Sequence, residues 1–402
     1  MRMSKKKEIV PKFRFPEFQR DGIDFVHGNK LFKSITNKNH NSDLPILAIT
    51  QDQGAVPRDQ IKYNVTVTDK SLSNYKVVEV GDFIISLRSF QGGIEYSRFK
   101  GICSPAYIIL RKREENISEL YYKYFFKTWR YIQSLNRNLE GIRDGKMISY
   151  SQFSPVKVPY PRSFKEQQKI ADCLSSIDEL IDAENRKLKA LEKYKKGLMQ
   201  KLFPAEGKTL PEWRFPEFRG KSEWRIKPLG KICTNYDSRR IPITEKDRVK
   251  GEIPYIGASG VIDYINDFIF DEDLLCVSED GANLVARTYS IAFSISGKTW
   301  VNNHAHVLKF SHKYTQDIVE SYLNMINLQD FLTGMAQPKL NRAKLDIIPI
   351  PLPEEEEQQK IADCLSEIDK IITEQSNKVE QLKAHKKGLM QGLFPSLEEA
   401  DV

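Results

Sequence analysis

A segment of 39 residues occurs twice in this chain and constrains its architecture more than any other feature. Residues 166–204 read EQQKIADCLSSIDELIDAENRKLKALEKYKKGLMQKLFP and residues 357–395 read EQQKIADCLSEIDKIITEQSNKVEQLKAHKKGLMQGLFP, aligned without a gap and identical at 24 of 39 positions. In the first copy, apolar or long-stemmed residues fall at Ile170, Leu174, Ile177, Ile181, Glu184, Leu188, Leu191, Lys195, Leu198 and Leu202. The second copy keeps the register with Ile361, Leu365, Ile368, Ile372, Gln375, Val379, Leu382, Lys386, Leu389 and Leu393. Steps of four and three alternate throughout, and that 3.5-residue period marks a coiled-coil seam rather than the wider face of an ordinary core helix. At about 1.5 Å per residue, each helix spans on the order of 50 Å. Asp172, Asp178, Glu179, Asp182 and Glu184 crowd the first half of one helix and Lys193, Lys195, Lys196 and Lys201 its end, with a similar gradient in the other. Antiparallel packing sets acid beside base, and the same gradient suits each helix dipole. An ordinary helical hairpin core is the plainer alternative.

The repeat extends upstream, because PKFRFPEF at 11–18 returns as PEWRFPEF at 211–218. The chain therefore reads as two halves, and the segments between the repeated parts, roughly 19–153 and 219–345, share almost no sequence. In the first, β-rich runs at 44–50, 76–80, 82–87 and 106–110 alternate with Gly, Asn, Asp and Ser clusters, and a helix is expected over 119–135. In the second, the same order gives strands at 253–256, 273–278, 290–295 and 306–310 and a helix over 315–332. Each closes with a Pro-punctuated strand, 156–161 or 347–353. The expected fold is α+β: a first variable domain with its N-terminal segment (1–162), a repeated helix (163–204), a second variable domain (205–353), the second repeated helix (354–396) and a short tail (397–402).

Composition narrows the function. The apolar content is 40% and the charged content 29%, and no window approaches the roughly 18 apolar residues of a membrane span. The basic N-terminus lacks an apolar segment behind it, so a secretory signal is not expected and the cytoplasm is the expected location. Five cysteines, odd in number and without a CxxC, argue against disulfides and a zinc cage. The net charge of +8 fits a polyanionic partner.

Catalytic signatures are missing from the sequence: no GxxxxGK[ST], no HExxH, no GxSxG, no glycine-rich methyltransferase loop with an Asn-Pro-Pro-Tyr site, and no Pro-Asp followed by Glu-x-Lys. Asp144-Gly145-Lys146 is a faint echo of the last and reads better as a turn. His304 and His306 stand two apart on an expected strand, hence on one face, with no third metal ligand evident. What remains are polar loop side chains of the kind that meet base edges and phosphates. They are Arg88, Ser89, Gln91, Arg98, Lys100 and Lys146 in the first variable domain, and Glu279, Asp280, Asn283, Arg287, Lys298, Trp300, Asn302, Asn303 and Lys339 in the second. An ordinary solvated loop would carry many of the same residues.

The doubled EQQKIADCL…ID…KKGLMQ-LFP segments, the approaches VKVPYP and IPIPLP, and GDFIISLRS…GICSPAYIIL together resemble the specificity subunits of type I restriction-modification systems over essentially the whole chain. The resemblance implies two target recognition domains joined by two antiparallel helices. Each domain would read one half of a split site in double-stranded DNA, and the helices would set the gap. It implies a non-catalytic subunit without cofactors of its own. Two modification subunits would methylate adenine with S-adenosylmethionine, and restriction subunits would use ATP and Mg to translocate and cleave. Half-sites one helical turn apart lie about 34 Å from each other, a distance that helices of this length suit. The outward helix faces and the Pro-aromatic segments, with Phe13, Phe15, Trp213 and Phe215, are either contacts for modification subunits or closures of each domain core. A specificity module of a type IIB-like enzyme and a coiled-coil scaffold that does not bind DNA are the alternatives.

Overall fold

The computed structural model describes residues 10–41, 43–61, 72–137, 148–334 and 337–395. Its contacts divide the chain into two compact units, one formed by residues up to Glu184 together with those from Lys378 onward, the other by Asn185–Asn377. Both divisions fall inside the long helices, Phe164–Leu202 and Glu355–Leu393, rather than at their ends. Each unit therefore holds one variable domain, the start of the helix that follows it and the end of the other helix.

Within each unit the two helical segments run antiparallel. In the first unit Lys378 meets Glu184 and Lys386 meets Asp178, so one helix ascends as the other descends. In the second, Lys195 meets Asp369 while Leu198, Met199 and Leu202 share a core with Ile361 and Leu365. Along the first helix Ile170, Leu174, Ile181 and Leu202 are buried, and Ile177, Leu188, Leu191 and Leu198 half-buried. Along the second, Ile361, Leu365, Val379 and Leu393 are buried, and Ile368, Ile372, Leu382 and Leu389 half-buried.

The upstream repeat builds the same joint in both units. Arg14 grips Glu166 through two hydrogen bonds of 2.8 and 2.9 Å, and Arg214 grips Glu357 at 2.8 and 2.6 Å. Both pairs are almost wholly buried, and a paired guanidinium fork is the geometry that offsets the cost of removing two charges from water. Lys169 pairs with Glu17 across the ring of Phe15, as Lys360 pairs with Glu217 across Phe215. The strap also ties down the other helix: Phe13 N–H donates to the carbonyl of Gly392 (2.8 Å) and Trp213 N–H to that of Lys201 (2.9 Å). A Cβ at Gly392 would lie 2.1 Å from the Phe13 ring, so a larger residue there would push that ring aside. Beyond each helix end an aromatic anchors the joint, Phe394 against Tyr121 and Phe125, and Phe203 against Trp224 and Tyr322.

The variable domains share a topology despite their unlike sequences. A four-stranded antiparallel sheet runs Phe32–Ile35, Ile108–Lys112, Phe83–Ile85, Glu95–Tyr96 in the first unit and Thr234–Asn235, Ala305–Lys309, Leu274–Ser278, Ala292–Ile295 in the second. Register corresponds as well, with Phe83 opposite Leu110 in one and Leu275 opposite Leu308 in the other. A second layer holds a hairpin, Leu47–Thr50 with Gly54–Pro57 or Lys250–Gly257 with Gly260–Ile265. It also holds a short strand pair, Lys76–Val78 with Gly101–Cys103 or Phe270–Asp271 with Lys298–Val301. A parallel contact joins hairpin to pair in each, Ile46 to Ile102 and Tyr255 to Trp300. The Pro-punctuated strands, Lys157–Pro161 and Pro349–Leu352, form isolated ribbons with Ile23–His27 and Arg225–Pro228, where residues without an N–H are tolerated. One core is aromatic, with Phe32 edge-on to Phe83 and Tyr122, and the other aliphatic, with Leu275, Leu308, Ile318 and Leu323, so the same pattern is written in different letters.

Two expected helices differ from the structure. The 119–135 stretch is two helices, Glu119–Phe125 and Trp129–Arg137, because the Thr128 hydroxyl donates to Phe125 O and accepts from Tyr131 N–H, capping a new start. The 315–332 helix runs Lys313–Met325, where Arg287 closes its end by donating to the carbonyls of Leu323 and Ile326.

Candidate nucleic-acid interface

In the first unit the central strand Phe83–Ile85 opens into a loop that turns back through the short helix Ser89–Gly92. Arg88 and Gln91 are exposed on it, whereas Ser89 is buried and its hydroxyl accepts from Ser86 N–H (2.9 Å). Arg98 is exposed, and Lys100 is exposed but pairs with Glu79 (3.1 Å). Lys146 lies outside the described residues. Beside this loop stands the tip of the hairpin, Gln51-Asp52-Gln53, all exposed. Lys127 fixes the two together, its ammonium donating to Gln51 O (3.2 Å), Gly92 O (2.9 Å) and the buried Glu95 carboxylate. Burial raises the Glu95 carboxyl above its ordinary value even against the opposing pull of Lys127.

The second unit places the equivalent loop, 278–283, beside the hairpin tip Ala258-Ser259, with Ser278 Oγ donating to Ala258 O (2.5 Å). A charge network takes the role that Lys127 has in the first unit. Arg240 donates to Glu279 (2.7 Å) and to Ala305 O (2.8 Å), while Lys339 reaches the other Glu279 oxygen (3.2 Å). Buried His306 donates from Nε2 to Leu340 O (2.7 Å), and its Nδ1 lies 2.6 Å from Asp237, whose other oxygen accepts from Val307 N–H. Burial alone would raise the Asp237 and Glu279 carboxyls; hydrogen bonds from His306 to the one and Arg240 to the other outweigh it and hold both below their ordinary values. Asp237, Glu279 and His306 have ligating atoms within 4.8 Å of one another, yet Arg240 and Lys339 already supply the positive charge there. The two histidines do not act as a pair: His304 precedes the strand and turns to Asp280 (2.8 Å), while His306 faces Asp237.

Several predicted contacts are engaged within the protein. Asn283 is buried, accepting from Thr288 and Tyr289 N–H and donating to Tyr289 O. Arg287 spends its guanidinium on three carbonyls, and Asn302, also buried, accepts from His304 N–H. Trp300 donates to Ile241 O (2.6 Å). Exposed on this face are Asn303, Lys339 and Lys298, the last over the ring of Phe268. Sequence reasoning missed the hairpin tips and the anchors Lys127, Asp237 and Arg240, and noticed His306 only as half of a possible metal pair. The tips carried a signal, an apolar run broken by polar residues and a glycine in PILAITQDQGAV and IPYIGASGVI. The anchors carried none, since their partners are distant in sequence.

The repeated KKGLMQ stretch lines a groove in each unit. In the second, Lys195, Lys196, Met199 and Gln200 border a space of about 900 Å³. In the first, Lys386, Lys387, Met390 and Gln391, with Trp129 and Arg130, border about 540 Å³. Among the described residues no helix is long and apolar enough to cross a membrane.

Comparison with known proteins gives these features a context. A sequence family described as the type I restriction modification DNA specificity domain matches residues 21–193 and again 221–383. A type I restriction enzyme specificity subunit of Haemophilus influenzae is 34% identical over 153 residues, a match spanning 38% of this chain and only 39% of that one. The MjaVIII specificity subunit of Methanocaldococcus jannaschii is 25% identical across 81% of this chain and 80% of its own. Among solved structures, a type I restriction-modification S subunit from M. genitalium superposes with a TM-score of 0.60 at 15% identity, covering 97% of this chain and all of that one. A chain from a study of assembly and conformational transition in a type I system gives 0.55 at 15% identity, over 93% of this chain and 97% of that one.

Proposed function

Since the chain belongs to the type I restriction-modification DNA specificity family, we propose that each of its two units reads one half of a split DNA site, through the face built by the loop after the central strand and the neighbouring hairpin tip. The chain is the DNA-specificity subunit of such a system, and catalysis belongs to its partner subunits. The observation that carries the reading is one topology presented twice with different exposed side chains: Arg88, Gln91, Arg98 and Lys100 on one face, Asn303, Lys298 and Lys339 on the other. Equal scaffolds with unequal surfaces suit two half-sites of unlike sequence. Side chains whose hydrogen bonds close within the protein, Ser89, Asn283, Arg287, Asn302 and Trp300, hold the loops rather than touch DNA.

Two modification subunits dock on the parts that are the same in both units, the grooves lined by KKGLMQ, because two copies of one partner require two copies of one surface. Those subunits transfer a methyl group from S-adenosylmethionine to adenine, and restriction subunits with ATP and Mg cleave unmodified DNA, in the cytoplasm. The length of the paired helices sets the number of base pairs between half-sites. Inserting two heptads in both helices lengthens the tolerated gap and leaves the half-sites unchanged; an unaltered gap contradicts this. Mapping methylated adenines in cells that carry this subunit tests the function as a whole. A split motif with a fixed gap is expected, and methylation without such a motif would overturn the proposal.

A further inference from the structure

We infer that the first unit reads bases chiefly with the hairpin tip Gln51-Asp52-Gln53, and that the groove between this tip and the loop after the central strand receives the edge of the DNA. The inference rests on the proposed function and narrows it to a structural element. Four observations carry it. A groove of about 830 Å³ runs between the hairpin and residues 86–88, with Gln51, Gln53, Arg58, Arg88 and Tyr107 among its walls. The Nη1 of Arg58 is shielded from solvent and has no hydrogen-bond partner among the described residues. A buried guanidinium donor left unmade is costly, and a nucleic-acid acceptor entering the groove would satisfy it. The tip itself is preorganised: Thr50 Oγ1 donates to Gly54 O (3.0 Å) and accepts from Gln53 N–H (3.1 Å), and Gly54 takes the positive φ of 77° that a three-residue loop needs. Lys127 fixes the tip's backbone at Gln51 O.

The side chains on this rigid tip have the chemistry of base recognition. The major groove admits a two-stranded ribbon, and a glutamine amide can donate and accept at once across the N6 and N7 edge of adenine. Gln51 and Gln53 are exposed, and among the described residues the one protein bond that engages either amide is long, Gln51 Nε2 to Arg88 O at 3.4 Å. In the second unit the corresponding tip is Ala258-Ser259, which has no amide to offer. The first half-site is therefore read at the hairpin by paired hydrogen bonds, and the second is not.

The test uses the complete methyltransferase complex carrying Gln51→Ala with Gln53→Ala, assayed on the wild-type site and on a library of single-base variants of both half-sites. Loss of paired contacts should lower methylation of the original site roughly 10- to 100-fold and relax discrimination at one or two adjacent positions of the first half-site. The second half-site should keep its profile. An unchanged profile, or equal relaxation in both halves, would overturn the inference. Should the double variant fail to assemble, Gln51→Glu with Gln53→Glu keeps the shape and replaces donors by acceptors. It is expected to shift preference at the same positions, and an unaltered preference counts against the hairpin. A wild-type complex that recognises no split site would instead sink the proposed function itself, so the two failures are distinguishable.

Discussion

The joints and the faces of this protein are built on opposite terms. At the joints, two distant stretches of chain make the same contacts pair by pair: Arg14 with Glu166 as Arg214 with Glu357, and Lys169 with Glu17 as Lys360 with Glu217. At the faces the backbone plan is shared, but Lys127 holds one set of loops and a network of Arg240, Glu279, His306 and Asp237 holds the other. Joint side chains close their bonds within the protein, while part of each face is left open. A chain with invariant joints and divergent faces can change what it reads without changing how it is assembled.

The contrast breaks first at the joints if it is wrong. Arg14→Met leaves Glu166 buried and unpaired, and should cost about 3–5 kcal/mol in the first unit. Arg214→Met should cost a similar amount in the second, with amide hydrogen exchange accelerating in the affected unit. Unequal losses would show that the likeness of the joints is only geometric.

Smaller and confined to one face is the effect of Asp237→Asn, which weakens the acceptor for His306 and Val307 and should cost about 1–3 kcal/mol. Methylation kinetics should then deteriorate for substitutions in one half-site only. A uniform loss at both halves would make Asp237 a general stability residue and not a positioning one.

Weaker still is the helix pair Asp178–Lys386, part-exposed at 26% and 24%, where Lys386→Met should cost about 1 kcal/mol or less. Burial would raise the Asp178 carboxyl, but Lys386 and Tyr124 outweigh it and hold its folded pKa below the ordinary value. The unfolded chain therefore binds the proton more readily, and stability from this group is complete above about pH 4 and lost as pH falls through the lowered folded value. Denaturant titrations of wild type and Lys386→Met should converge in that acid range; a gap that persists there excludes the ion pair as its source. Least of all, Lys298→Ala should reduce the salt dependence of DNA binding by about one charge equivalent and leave the recognised motif intact.

The repeated helix and its repeated strap were legible in the sequence by their identity, but the grip of Arg14 on Glu166 that joins them was not. The antiparallel sense followed from the charge gradient, and pairs such as Asp178–Lys386 show it at work inside one unit. The faces were legible only as loops. Nothing in SEDGAN reveals that Asn283 closes its own turn while Asp280 points to His304, because a side chain's partners depend on which strands become neighbours. The hairpin tips escape for another reason: the run 44–50 reads as one strand, and its return at Gly54–Pro57 is only four residues long. The break at Thr128 shows the same limit, since it turns on the two bonds of one hydroxyl.

The most direct test of two independent readers on one scaffold is to exchange residues 219–345 for the corresponding region of another family member and map methylated adenines in cells. One half-site should change, with the other half and the gap retained. A change in both halves would contradict the account.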